Sequence, residues 1–308
     1  MNGFLNINKP AGMTSAAVVG VLKRLTGEKR VGHAGTLDPQ AAGVLPIMMG
    51  RATRLFDYLV DKEKEYVAVC AFGSATDTQD ATGRITETGN QYPDLFRVER
   101  EKEKLIGDII QKPGMYSAIK VDGKRLYTLA RAGETAEVPS RVVHVESIKI
   151  LGEEPDHGVK IRVRCGRGTY IRSICEDLGK LCGCPSHMRS LIRTRSGVFH
   201  IEDSIDLEEA RALAEEGKLM ACAISLDGPV GHLPRMEAEA GLTKAVSAGA
   251  ALPLSRMAGE APEEGNVTRI YLNGAFWGIA ERRTDRLVWR CQIPPDEPAN
   301  PLMGGTAG

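Results

Sequence analysis

The sequence predicts an α+β fold in which a larger domain of strands and amphipathic helices is followed by a small β-rich one. Three observations carry this reading. Val159, Ile161, Val163 and Cys165 alternate with Lys160, Arg162 and Arg164, the period of a strand with one buried face. After the Gly166-Arg167-Gly168 turn, Ile171, Ile174, Leu178 and Leu181 recur at helical spacing. Near the C-terminus, the apolar runs 267–272 and 275–280 flank Asn273-Gly274, a pair that readily takes the left-handed conformations a two-residue hairpin turn demands.

The other elements follow in chain order. A short apolar strand precedes the Pro10-Ala11-Gly12 turn, after which Thr14 or Ser15 can cap a helix whose buried stripe is Val18, Val21, Leu22 and Leu25. Tyr66 begins a strand that runs to Phe72. Thr169 is the expected N-cap of the helix over residues 171–181, and Gly183 its stop. Asp206 caps an acidic helix expected to reach about Leu219, beyond which Gly228, Pro229, Gly231 and Pro234 break the pattern. A domain boundary is therefore set near Val230, giving domains at 1–230 and 231–295. Leu287 to Ile293 adds a strand to the second, and residues 296–308, rich in Pro and Gly, read as a flexible tail. Within the first domain, residues 112–139 are dense in Lys, Arg, Gly and Tyr without sustained periodicity and read as a surface insertion.

Composition narrows the function classes. The 308 residues carry 40 basic and 40 acidic side chains, so the chain as a whole does not advertise a polyanion partner and any basic surface must be local. The seven cysteines are odd in number and scattered, as expected of reduced thiols in a cytoplasmic protein. Cys182 and Cys184 lack a second ligand pair, so no metal site is assigned. No apolar stretch is long enough to span a bilayer, and no basic start is followed by a secretory apolar region.

The sharpest local feature is GHAGTLDPQAAGVLP, residues 32–46, in which small residues surround Asp38 and Pro39. Glycine permits close backbone approach and proline fixes a dihedral, so the carboxylate would sit on a constrained loop. Taken alone, an Asp-Pro pair in a loop is ordinarily a turn former.

Six ordered blocks change that reading: NKPAGMTS (8–15), GHAGTLDPQAAGVLP (32–46), KEYVAVCAFGSATDTQDATG (64–83), YSAIKVDGKRLYTLARAG (116–133), GRGTYIRSICEDLG (166–179) and LIRTRSGVF (191–199). In type and spacing they resemble the TruB family of tRNA pseudouridine synthases over residues 4 to about 200. Gly114 departs from the pattern, standing where the family usually carries a second proline, which leaves the start of the insertion less constrained.

The resemblance implies a catalytic domain on a mixed, mainly antiparallel sheet flanked by helices, with a PUA-like RNA-binding domain behind it. It implies isomerisation of uridine-55 in the T arm of tRNA, with Asp38 as the carboxylate that lets uracil leave its ribose, rotate and rejoin through carbon. Tyr66 matches the tyrosine that stacks on the target base and is a candidate to take the proton from the new carbon bond. Arg172 matches the arginine that pairs with the catalytic aspartate, and opposite charge at close range favours the ionised carboxylate. Tyr170 and Leu191 match residues lining the uridine pocket, although Leu191 reads equally well as core.

His33 matches the histidine that fills the space of the extruded nucleotide. Lys9, with Pro10, matches residues that brace the catalytic loop, yet it also reads as a solvated surface charge. Asp77 and Asp80 read as turn and capping residues. Lys160, Arg162, Arg164, Arg167, Arg172, Lys180, Arg189, Arg193 and Arg195 outnumber the acids around them and form the expected local basic surface for RNA. The expected partner is tRNA, bound by a monomer without cofactor, membrane or guide RNA, since guide-dependent relatives carry basic extensions and this chain ends in a short Gly-rich segment. A catalysis-independent tRNA-folding chaperone is the alternative. It would share the basic surface but not need Asp38, Tyr66 and Arg172 together.

Overall fold

The computed structural model describes residues 1–59, 63–114 and 138–295, together with the strand segments Lys120–Val121 and Lys124–Arg125. Most of the expected insertion at 112–139 and the whole expected tail at 296–308 lie outside the described residues.

Nine strands form the larger sheet: β1 (Gly3–Lys9), β2 (Val31–His33), β3 (Ala42–Met49), β4 (Lys64–Phe72), β5 (Gly107–Gln111), β6 (Arg141–Glu154), β7 (Gly158–Cys165), β8 (Ser186–Ser196) and β9 (Phe199–His200). Their spatial order is β1-β3-β8-β4-β7-β6-β5, with β2 on β3 and β9 on β8. Each pairing is antiparallel except β3 with β8, parallel at Ala42–Ile192 and Gly43–Arg193. This is the mixed, mainly antiparallel sheet that the resemblance implies.

The two-residue period sorts each strand onto two faces. Leu5 and Ile7, Leu45 and Ile47, Tyr66, Ala68 and Cys70, and Val159, Ile161 and Val163 share one face with the apolar stripes of three helices. These are α1 (Ser15–Thr26), α3 (Ile171–Cys182) and α4 (Leu207–Glu215), while α2 (Leu95–Lys102) adds Val98 to the same core.

Capping explains where α1 starts: Thr14 Oγ1 accepts from Ala17 N at 3.0 Å, and Gly27, at φ 66°, ends it in the left-handed region. Two expectations change. The N-cap of α3 is Tyr170, not Thr169, whose hydroxyl instead donates to Gly166 O at 3.2 Å. Gln111, from a strand far away in sequence, accepts from Tyr170 N at 2.9 Å and donates to Tyr170 O at 3.0 Å, so a tertiary contact replaces the local cap. Helix α4, which Asp206 caps by accepting from Glu208 N and Glu209 N, stops at Glu215 rather than near Leu219, because Gly217 turns left-handed at φ 69°.

The second sheet spans β10 (Arg235–Ala238), β11 (Leu252–Pro253), β12 (Met257–Gly259), β13 (Val267–Leu272), β14 (Ala275–Arg283) and β15 (Arg286–Gln292). Its order is β11-β15-β14-β13-β10-β12. The β13–β14 hairpin turns at Asn273 and Gly274, with φ of 52° and 75°, as the Asn-Gly pair predicts. This sheet has its own core around Ile270, Leu272, Leu252 and Leu287. A second cluster joins it to the first sheet, packing Phe4, Val44, Met48 and Leu55 against Ile279, Cys291 and Ile293.

One glycine is required by close approach. At Gly43, φ is 102° and an added Cβ would lie 2.3 Å from the Arg193 carbonyl oxygen on the parallel strand. Gly43→Ala is therefore expected to destabilise the chain by about 3 kcal/mol or more, the range of a buried clash added to left-handed strain. Urea unfolding would show it, and a loss below about 1 kcal/mol would contradict this packing.

Candidate active site

The helix-covered face of the sheet ends in a cavity of about 390 Å³. Most of its lining comes from the loop 34–38, the start of β4 through Lys64 and Tyr66, the segment 167–172 that leads into α3, and Leu191 with Arg193 on β8, with Phe56 and Arg141 added from elsewhere. Five of the seven candidate residues, Asp38, Tyr66, Tyr170, Arg172 and Leu191, meet here. Lys9 and His33 do not line it.

Asp38 sits between β2 and β3 on a loop whose backbone is held on both sides. Ser15 Oγ donates to Leu37 O at 3.0 Å and accepts from Leu37 N at 2.9 Å, and Gly12 N donates to Pro39 O at 2.8 Å. Lys9, read from sequence as equally a solvated charge, is fully buried and its Nζ donates to Pro10 O, Met13 O and Pro39 O at 2.9, 2.6 and 3.1 Å. The brace is the reading that the geometry supports, because a buried ammonium persists only where its donors are satisfied.

Burial pushes the Lys9 ammonium down to about 8, with Asp38 opposing the shift and Arg193 adding to it. In the unfolded chain the same group titrates near 10.5, so between these values the unfolded state holds a proton that the folded state has lost, and the Lys9 contribution to stability rises with pH. Lys9→Met lacks that gain. The stability gap between wild type and Lys9→Met is expected to widen as pH rises from about 8 toward 10.5, measured by urea melts at intervals across that window. A gap constant with pH would show that Lys9 stays ionised throughout.

Arg172 projects from the first turn of α3 and is 5 % exposed. Its Nε lies 3.1 Å from Asp38 Oδ2, and its Nη1 donates to Thr78 O at 3.1 Å and lies 3.6 Å from Asp80 Oδ2. One guanidinium thus bridges the loop that carries Asp38 and the turn that carries Asp80. Asp80 is itself fixed, accepting from Thr78 Oγ1, Thr82 N and Thr82 Oγ1 at 2.8, 3.0 and 2.6 Å. Its capping role is as read from the sequence, while its second role, toward Arg172, was not. The signal was its burial, which no local pattern reveals. Asp38, by contrast, keeps 39 % of its side chain exposed, open to the cavity.

Tyr66 is 8 % exposed, and burial raises its phenol above the ordinary value, an effect that Arg193 partly offsets. Tyr170 stands on the facing wall with the Arg141 guanidinium 4.6 Å from its ring centroid, a cation–π contact. Phe56 lines the same cavity and remains 38 % exposed. His33 is half-buried on β2, and burial, then Arg193, lowers its imidazole below the usual value. It lies one residue before Ala34, the first lining residue of the loop.

The expected basic surface is corrected in two respects. Arg172 is not on a surface, at 5 % exposed, nor is Arg193, at 1 %. Strand periodicity could have shown this for Arg193, since it follows Leu191 by two residues and shares its face. Four of the others are interleaved with acids on or beside neighbouring strands. Arg162 lies 3.7 Å from Glu65, Arg164 lies 3.1 Å from both Glu63 and Glu146, Arg195 lies 3.9 Å from Glu63, and Lys160 lies 3.3 Å from Glu154. Glu63 and Glu65 lie far ahead of these arginines in the chain, which is why a segment-by-segment charge count misses them. Among the described residues, no group of His, Cys, Asp and Glu is placed to hold a metal ion, and no helix is long and apolar enough to cross a membrane.

Comparison with known proteins meets this geometry. A sequence model of the N-terminal domain of TruB family pseudouridylate synthases matches residues 23–171, and one of the tRNA pseudouridylate synthase B C-terminal domain matches residues 172–227. The protein named tRNA pseudouridine synthase B of Heliobacterium modesticaldum is 41% identical over 296 residues, 95% of this chain and 94% of that one. The chain belongs to the TruB family. Its counterpart of the same name in Geobacillus thermodenitrificans is 41% identical over 261 residues, 82% of this chain and 86% of that one.

Among solved structures, an H/ACA ribonucleoprotein bound to a substrate RNA containing 2′-deoxyuridine has a chain with a TM-score of 0.73 and 25% identity, covering 96% of this chain and 86% of that one. This likeness of fold extends across both sheets of this chain. The cavity with Asp38 lies where the N-terminal family match, the loop at 34–38 and the first strands at 42–72, meets the start of α3.

Proposed function

We propose that this TruB-family chain isomerises uridine-55 in the T arm of tRNA to pseudouridine. The observation that carries the reading is the Asp38–Arg172 ion pair, 3.1 Å long, at a cavity walled by Tyr66 and Tyr170. Cleaving a glycosidic bond at neutral pH calls for an ionised carboxylate beside an electron-poor sugar carbon, the demand that glycosidases meet with Asp or Glu. Asp38 supplies that carboxylate on a braced loop, and Arg172 orients it through one oxygen.

A uridine inside a folded T arm must leave its stack to reach the cavity, and the two tyrosine faces repay part of that cost, about 1–3 kcal/mol per stacked base. In the cavity the bond between ribose C1′ and uracil N1 breaks, uracil rotates, and C1′ joins C5. The C5 proton leaves and N1 gains one. Atoms and charge balance without redox change or an energy source, so neither cofactor nor metal is assigned to the reaction. Leu191 packs the apolar side of the pocket, His33 stands behind the loop on the path of the flipped nucleotide, and residues 231–295 form a separate RNA-holding domain. The enzyme acts as a monomer in the cytoplasm, on tRNA alone.

The test uses tRNA transcripts tritiated at uracil C5. Release from the wild-type transcript, and none from one with cytidine at position 55, is expected. Equal release from both would remove the assignment to that position. Binding without release from either would favour the chaperone reading.

A further inference from the structure

Arg193 is the largest fully buried side chain among the described residues. Among those residues no carboxylate pairs with it. Its guanidinium is held instead by carbonyls: Nε donates to Val44 O at 2.8 Å, Nη2 to Gly35 O at 3.1 Å and Nη1 to Thr36 O at 3.5 Å. Burying a cation without a counter-anion costs several kcal/mol, so a position that keeps one is under a demand other than stability.

Three facts locate that demand. Arg193 lines the cavity. It faces Tyr66 directly across the β8–β4 ladder, and its charge opposes the effect of burial on the Tyr66 phenol. The chain also makes room for it, with Gly43 giving way to its backbone and Gly35, at φ 109°, passing beside its guanidinium.

We infer that Arg193 is a positioning residue that sets its buried charge across the ladder from Tyr66, keeping the Tyr66 oxygen available as a proton acceptor, while pinning the Gly35-Thr36 approach to Asp38. The inference rests on the proposed reaction and assigns its last step. After C1′ has joined C5, the Tyr66 phenolate takes the C5 proton. The C5–H electron pair forms the C5=C6 double bond, the C6=N1 pair moves onto N1, and N1 takes a proton from water. Tyr66, now a phenol, returns its proton to solvent. The guanidinium opposes burial in setting how readily the phenol ionises. The other groups facing the ring or lining its cavity are Asp38 from the loop, Cys165 from β7, Lys64 from β4, Arg141 from β6, Arg167 and Tyr170 from the turn before α3, and Arg172 from α3.

The test is the pH profile of single-turnover tritium release for wild type, Arg193→Met, Tyr66→Phe and the double variant. Arg193→Met should slow release about 10- to 100-fold at neutral pH and move the rising limb to higher pH, the scale of impaired general-base catalysis. In the Tyr66→Phe background the same change should cost less than about twofold, because its route is already gone. A slowing of equal size at every pH, present with and without Tyr66, would overturn the inference, as would an unchanged rate.

If Arg193→Met does not fold, Arg193→Gln carries the test through the 13C resonance of the Tyr66 ring carbon bearing oxygen, assigned by its loss in Tyr66→Phe. Its titration should move to higher pH relative to wild type, and an unmoved titration overturns the inference. That titration needs no substrate. It separates failure of this role from failure of the proposed reaction, which would show as absent release from the wild type.

Discussion

Asp38→Asn is expected to reduce tritium release from tRNA by about 10⁴-fold or more, the loss seen when a nucleophile is removed from a site that otherwise stays assembled. The argument rests on which bonds survive. Ser15, Lys9 and Gly12 hold the backbone of Leu37 and Pro39, not the Asp38 side chain, so the loop keeps its course. The amide occupies the same space but offers neither the charge nor the nucleophilic oxygen that glycosidic cleavage requires. Because Asp38 is well exposed, its ion pair contributes little to stability, about 1 kcal/mol or less. Thermal unfolding and tRNA affinity should therefore stay close to wild type. Turnover within tenfold of wild type would remove Asp38 from the reaction.

Arg172→Met should act on both catalysis and stability. Single-turnover rates are expected to fall about 10²- to 10³-fold, as when one preorganised donor is lost from an active site. Stability should fall by about 3 kcal/mol, the low end for breaking a buried pair, because Asp80 keeps three other donors when the guanidinium goes. Arg172→Lys separates the two effects. A compact ammonium can neutralise one carboxylate but cannot span Asp38, Thr78 O and Asp80 together, so it should recover stability more than rate. If Arg172→Met retained the wild-type rate with the fold intact, the bridge would be structural only.

Much of this architecture could be read from the residues alone. The β13–β14 hairpin follows from Asn273-Gly274 between two apolar runs, and β7 follows from strict alternation, since both signals are complete within a few residues. Helix α3 was legible in its stripe and in its Gly183 stop but not in its cap, because the group serving Tyr170 is Gln111. Asp38, Tyr66, Tyr170, Arg172 and Leu191 were found through ordered motif blocks, and the cavity gathers all five. Asp80 is legible as a turn and capping residue but not in its contact with Arg172, and Arg193 reads as part of a basic surface although it is buried.

The difference has one physical origin. Periodicity, turn chemistry and capping act over a few residues, so the sequence by itself determined the elements, their faces and the motif blocks that point to a pseudouridine synthase. Whether a charge is buried or solvated depends on groups brought from elsewhere: Glu63 and Glu65 across from Arg162 and Arg164, three carbonyls around Lys9, and Val44, Gly35 and Thr36 around Arg193. Desolvation and ion pairing act through space rather than along the chain. Only the tertiary structure could decide that Lys9 braces the Asp38 loop, that Arg172 answers to two aspartates, and that Arg193 spends its charge beside Tyr66.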